Sequence, residues 1–310
     1  MSESTAAERP IRVEEMPAPP IEASYKTREV EGVLDLLFYR RLGFWFAQFF
    51  ARQRISPSQV TLLATVLGVT AGHLYVYEAL WLNLVGMLLH VGANLFDNVD
   101  GQLARLTQQQ SEEGRMLDGI GDNLVFASVY AHICIRYVHG GGSGLIWLIA
   151  LGAGVCHSMQ SAAAEFCRDA YLRFATERGG RFFRASELRD RAARSNRTVS
   201  RWLLTLHAGY IVQQELALPR LAELRDRMSD TAEWLEQAYR ESHRLLARQA
   251  RLLGTNARML VLFAVLFLGR PTWYFIAELT AFNAVFLWLI IRENSVAARL
   301  LVLVNERGAA

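Results

Sequence analysis

Four aspartates lie close together in a chain of 310 residues: Asp97 and Asp100, three apart, then Asp118 and Asp122, four apart. On helices, steps of three and four place each pair on one face. A turn between the pairs would bring the two faces together. Carboxylates gathered in this way repel one another. A single aspartate at the centre of a membrane helix already costs about 2.5–3.5 kcal/mol on insertion scales. Arg105 is one cation against four anions. Hard oxygen ligands in such number call for divalent cations, Mg²⁺ or Mn²⁺, and four carboxylates suit two ions. Gly101, Ala104 and Gly114 lie on or near the same faces, where their lack of bulk leaves room for a ligand or for close helix approach. Such a site suits phosphoryl transfer, with ions on a pyrophosphate and a carboxylate taking the proton of an attacking hydroxyl.

The elements that must position these residues are apolar. Hydrophobic residues make up 52% of the chain and charged residues 20%, against about 25% charged in ordinary soluble proteins. The charges are clustered, which leaves six apolar segments near 61–77, 80–96, 117–137, 145–166, 257–269 and 271–291. Four of them reach the roughly 20 residues of a bilayer crossing. The fifth is short and is predicted to continue a helix begun before Arg251, and the first is also short. The pattern predicts an all-α integral membrane protein: a six-transmembrane-helix bundle with an N-terminal amphipathic surface helix and a helical cytosolic insert.

Along the chain this gives a disordered tail over 1–28, with Pro10, Pro17, Pro19 and Pro20 and no signal-peptide pattern. An amphipathic juxtamembrane helix follows over 29–56 and membrane helices one to four over 57–170. Next come a basic insert over 171–256, helices five and six over 257–292 and a cytosolic tail over 293–310. Ile55-Ser56-Pro57-Ser58 reads as a helix stop and a fresh start. Within the insert, 222–253 is predicted as one amphipathic helix. Arginines crowd the side of the bundle that carries the aspartates, which predicts both termini and the site in the cytosol, in an inner membrane. The insert has net charge +6, leaving −3 on the rest of the chain. It is either a helical cap or dimer contact, or a basic face against anionic lipid headgroups.

Further polar residues mark the fourth segment. His157, Gln160 or Ser161, Glu165 and Arg168 recur at steps of three and four and, with Arg173, would line the cytosolic cavity and meet an acceptor. Interhelical hydrogen bonding accounts for them equally well. Arg258 and Asn256, at the start of the fifth segment, are similar candidates, whereas Glu278 and Asn283 are expected to be structural. The other histidines show no zinc spacing, and Cys134, Cys156 and Cys167 fall in apolar stretches.

The pattern D-x2-D-G-x2-A-R-x8-G-x3-D-x3-D, met here by Asp97, Asp100, Gly101, Ala104, Arg105, Gly114, Asp118 and Asp122, resembles the signature of the CDP-alcohol phosphotransferases, also called CDP-alcohol phosphatidyltransferases. The resemblance covers about 57–170 and fades over the insert. It implies that Asp97 and Asp118 bridge two metals, that Asp100 completes one site and Asp122 the other, and that Asp122 is the general base. Gly101, Ala104, Arg105 and Ser111 match positions around the CDP moiety. Ser58 and Thr61 match the nucleotide-side segment opening the first crossing, although Ser58 stands where Asn or Asp is common.

The reaction implied is transfer of a phosphatidyl group from CDP-diacylglycerol to a small polar alcohol such as inositol phosphate, glycerol phosphate or serine, releasing CMP. An alternative reverses the roles, with soluble CDP-ethanolamine or CDP-choline as donor and diacylglycerol or a ceramide as acceptor. A divalent-cation transporter is a third reading. It would need polar groups through to the far side, and only His157, Glu278 and Asn283 lie deeper. The implied partners are the CDP-alcohol, its acceptor, membrane lipid and a second copy in a homodimer, with no nucleic acid.

Overall fold

The computed structural model describes residues 31–32, 34–176, 183–227 and 233–308. The expected tail over 1–28 lies outside them, as do short stretches of the insert. Every regular element among the described residues is helical. A π turn, Asp35–Tyr39, leads into α1, Arg40–Arg52. Ala47 and Ala51 of α1 pack on Val60, Val99 and Leu103, while Leu42, Trp45 and Phe49 are exposed.

The fresh start read at Ser56 opens α2, Pro57–Leu74. Ser56 accepts the Gln59 N–H, the Gln59 side chain accepts the Ser56 N–H at 2.9 Å, and Pro57 occupies the first turn. After it, α3 (Leu80–Leu106) and α4 (Glu112–His139) form the hairpin that carries the aspartates. The chain leaves α3 through Gln108 at φ 56°, a left-handed conformation costing a side-chain-bearing residue roughly 1–2 kcal/mol. The Gln109 N–H then donates to the Ala104 carbonyl at 2.9 Å. Ser111 opens α4 by accepting the Gly114 N–H at 3.0 Å.

Small residues bring α2 against α4. A Cβ on Gly68 would overlap Val125, one on Gly121 would overlap Thr65, and one on Gly72 would fall 2.9 Å from the Val129 backbone nitrogen. The close approach of α2 to α4 is thus made two to four turns beyond Gly114.

The rest of the bundle is α5 (Ile146–Thr176), α10 (Thr255–Phe267), α11 (Trp273–Ala277) and α12 (Asn283–Gly308), with a π turn, Glu278–Phe282, between the last two. Four helical stretches are long and apolar enough to cross a membrane: Leu80–Leu106, Ile146–Phe174, Trp234–Phe267 and Trp273–Glu306. The third of these begins before Arg251, as predicted, and passes through a 3₁₀ turn at Ala250–Leu253. The first and third expected segments do not reach that measure. Helix α2 has only 18 residues and opens on Ser58 and Gln59. Helix α4 carries Glu112, Glu113, Arg115, Asp118, Asp122 and Arg136.

The insert folds as α6 (Ala185–Arg194), α7 (Thr198–Ala217), α8 (Pro219–Arg227) and α9 (Glu233–Gln249). The amphipathic helix predicted over 222–253 covers the end of α8, all of α9 and the 3₁₀ turn after it, and its residues 228–232 lie outside the described residues. Leu221 and Leu224 of α8 and Leu235 and Tyr239 of α9 share a core with Phe166 of α5 and Leu289 and Leu300 of α12. A second core, Leu188, Ala192, Leu204, Ala208 and Ile211, is closed by Met116 of α4, and Arg191 pairs with Glu112 alongside it.

Candidate active site

Asp97 and Asp100 sit in the last turns of α3 and Asp118 near the start of α4, so the hairpin makes them neighbours. One carboxylate oxygen from each lies within 4.8 Å of the other two. At that spacing, like charges repel by about 3–4 kcal/mol per pair at an effective dielectric near 20. The donor set is oxygen only, which fits Mg²⁺ or Mn²⁺ rather than a softer metal. Asp100 is buried, and the Thr61 hydroxyl of α2 donates to its Oδ2 at 2.5 Å. Such a partner orients a ligand before any ion arrives. Asp122 lies one turn beyond Asp118, is exposed and lines the same cleft. The cleft is open to solvent and is completed by Thr61, Thr65, His90, Asn94, Phe126 and Thr255.

The other expected site residues divide. Arg105 is within electrostatic reach of Asp100, Glu31 and Arg40. A Cβ on Gly101 would meet the Arg105 guanidinium at 3.4 Å, an ordinary contact, so the protein's own packing leaves room there. Ser58 is exposed on the first turn of α2. Ser111 and Gly114 form the N-terminal cap of α4, and the Ala104 carbonyl closes the end of α3.

Of the acceptor candidates, three are engaged with one another behind the cleft wall. Arg258 is 1% exposed and donates from Nη1 to Glu278 Oε1 at 2.6 Å and from Nη2 to Gln160 Oε1 at 2.8 Å. Gln160 in turn donates to Asn283 Oδ1 at 2.8 Å. His157 Nδ1 lies 3.0 Å from Arg258 Nη1, and its ring meets the cleft-lining Phe126 at 4.1 Å between centroids. These are the interhelical hydrogen bonds of the simpler reading, and they join α5, α10 and the π turn.

Glu165 and Arg168 remain part-exposed, 3.8 Å apart, and both act electrostatically on Asp122. Arg173 is exposed further along α5.

Two residues at the site were not singled out from sequence. The Tyr210 hydroxyl of α7 donates to Glu165 Oε2 at 2.7 Å, a contact across 45 residues that no local spacing announces. Asn94, three residues before Asp97 on the same face, was legible. It donates to Asn256 Oδ1 at 2.9 Å, and Asn256 donates to Asp35 Oδ1 at 2.7 Å. This relay ties the N-terminal segment to the cleft.

Comparison with known proteins agrees with this geometry. The chain is 32% identical over 117 residues to a phosphatidylinositol phosphate synthase of Streptomyces avermitilis, covering 37% of this chain and 46% of that protein. It is 28% identical over 121 residues to a bifunctional IPC transferase and DIPP synthase of Thermococcus kodakarensis, covering 38% and 27% respectively. The matched region therefore spans less than half the length of either relative. The profile of one family, CDP-alcohol phosphatidyltransferase, matches residues 54–211, a stretch that runs from the start of α2 through all four aspartates to Tyr210. With half of the chain matched and the aspartate hairpin assembled as the motif requires, this protein belongs to the CDP-alcohol phosphatidyltransferase family.

Proposed function

We propose that this chain transfers the phosphatidyl group of CDP-diacylglycerol to a small phosphorylated polar alcohol of the inositol phosphate kind, releasing CMP. The observation that carries the reading is the convergence of Asp97, Asp100 and Asp118 within 4.8 Å, with the exposed Asp122 one turn away. Support for the acceptor class comes from the relative that is a phosphatidylinositol phosphate synthase.

Asp97, Asp100, Asp118 and Asp122 would hold the divalent cations, Mg²⁺ or Mn²⁺, two by the number of carboxylates. When bound, such ions neutralise a pyrophosphate and raise the electrophilicity of its phosphorus. Thr61 keeps the Asp100 carboxylate aimed into the cleft. A carboxylate oxygen of Asp122 accepts the proton of the acceptor hydroxyl as that oxygen bonds to the β-phosphorus. The bond from that phosphorus to the bridging oxygen breaks, and CMP leaves with the electron pair. Ser58, Thr61, Gly101, Ala104, Arg105 and Ser111 make the nucleotide side. Glu165, Arg168 and Arg173 make the acceptor side, while His157, Gln160 and Arg258 hold the wall behind it.

In this reading α2 and α4 also cross the membrane, giving six spans. Helix α1 lies in its surface with Leu42, Trp45 and Phe49 in lipid, and the cleft opens to the cytosol.

The test is CMP release by purified protein with Mn²⁺ or Mg²⁺. Turnover with CDP-diacylglycerol and inositol phosphate supports the proposal. Turnover only with CDP-ethanolamine or CDP-choline and diacylglycerol would reverse donor and acceptor. Metal flux across vesicles without CMP release would replace the enzyme reading with transport.

A further inference from the structure

Helix α7 is apolar on two faces, and the second is packed only toward its C-terminal half, where Tyr210 and Gln213 meet α5. Leu204, Ala208 and Ile211 point into the insert's core. On another face Val199, Trp202, Leu206 and Leu216 stand 70%, 56%, 48% and 71% exposed. We propose that this second face is immersed in lipid, with α7 lying at the headgroup–acyl boundary of the leaflet that holds the aspartates.

Depth is the first argument. The Ser158 hydroxyl of α5 donates to Gln213 Oε1 of α7 at 2.7 Å, and Tyr210 meets Glu165 further along the same helix. At about 1.5 Å of rise per residue, Ser158 lies about 18 Å and Glu165 about 28 Å from the start of α5. The hydrocarbon core is about 30 Å thick. Counted from the start of α5, helix α7 therefore meets it within about the last 12 Å of the apolar layer. An interfacial helix with one apolar face sits 5–10 Å into this boundary as a rough rule.

Continuity is the second argument. The outward face of α5 is the exposed series Leu148, Leu151 and Val155, which faces lipid in any membrane-spanning placement. Ser158, the next turn, is where α7 makes contact. The uncovered face of α7 thus extends a surface that is already in acyl chains. Charge is the third. Arg194, Arg197 and Arg201 are exposed around the N-terminal end of α7, where anionic headgroups would meet them. Trp202, on the apolar face close to that end, is of the type favoured at that boundary.

The proposal rests on the membrane placement and not on the transfer reaction, so failure of one leaves the other standing. The test uses the full chain in bilayers of phosphatidylcholine doped with phosphatidylglycerol. Cys134, Cys156 and Cys167 are replaced by alanine, and single nitroxides are placed through Val199→Cys, Trp202→Cys and Leu206→Cys. Leu151→Cys serves as a lipid reference and Gln237→Cys, exposed on α9, as a water reference. Oxygen should relax the three α7 labels more than a water-soluble nickel chelate does, as at Leu151. Preference for the chelate, as at Gln237, would overturn the proposal. So would spin–spin broadening between copies, which would make the face a contact between two chains.

A second measurement needs no cysteine replacement. Bromine-labelled acyl chains should quench the fluorescence component that Trp202→Phe removes, and an unquenched component would contradict the lipid assignment.

Discussion

The short contact from the Thr61 hydroxyl to Asp100 would prepare that carboxylate as a metal ligand. Asp100 is buried at the end of α3, where an unsupported carboxylate would turn toward the nearest donor. Thr61, on a different helix, fixes one oxygen and leaves the other for the cleft. Thr61→Val keeps the shape and removes the donor. Affinity for Mn²⁺, followed by titration in bilayers, should fall about 10–100-fold. Tyr210 plays a comparable part for Glu165. Tyr210→Phe should raise KM for the acceptor and lower kcat/KM by about tenfold, the effect of about 1.4 kcal/mol, while KM for the CDP donor stays put. Equal loss on both substrates would mean that the tyrosine only supports the fold. The four aspartates were legible as one site because their spacing is local to two helices. Tyr210 was not, because its partner is brought to it by the packing of α7 on α5. His157, Gln160 and Arg258 were legible as polar residues on apolar helices, but only the structure shows the hydrogen bonds that join them to one another.

At the level of elements, the hairpin of α3 and α4 is held by the closeness of α2. Gly72 is the tightest backbone position, since a Cβ there would fall 2.9 Å from the Val129 nitrogen, which cannot move aside cheaply. Gly72→Val should destabilise the bundle by about 1–3 kcal/mol, read as a lower thermal midpoint in a fixed detergent, with the Thr61–Asp100 register disturbed on the same helix. The insert meets α4 through Arg191 and Glu112, with His207 alongside. Burial first, and then the charge of Arg115, hold the His207 imidazole below its ordinary range. The folded state therefore binds this proton less readily than the unfolded chain does. The stability it contributes is full above about pH 6.5 and is lost as pH falls below that value. Amide protection factors in α7, with the intrinsic pH dependence of exchange divided out, should fall as pH is lowered from about 7.5 to about 5.5, and His207→Gln should flatten the change. Element boundaries were readable where a capping residue announces them, as at Ser56. The apolar count was a poorer guide for α2 and α4, since the polar residues that build the site occupy their ends.

The whole molecule combines an apolar bundle with a cluster of like charges at one end and a basic, helical insert packed beside it. That arrangement makes sense when the charges are matched by cations and an anionic substrate, which is the central claim. The insert shares the core of α5 and α12, so it is part of the fold rather than an appendage, and its Tyr210 holds Glu165 of α5. Chelation of divalent ions should abolish CMP formation, and Mn²⁺ or Mg²⁺ should restore it while Ca²⁺ restores less, given its looser and larger coordination. The most direct measurement compares unsubstituted protein with Asp122→Asn, in bilayers with Mn²⁺, CDP-diacylglycerol and inositol phosphate. CMP release should fall about 10²–10⁴-fold in the variant, with binding of the CDP donor retained. Equal CMP release by both proteins, with the donor bound by each, would contradict the assignment of this hairpin as the reacting centre.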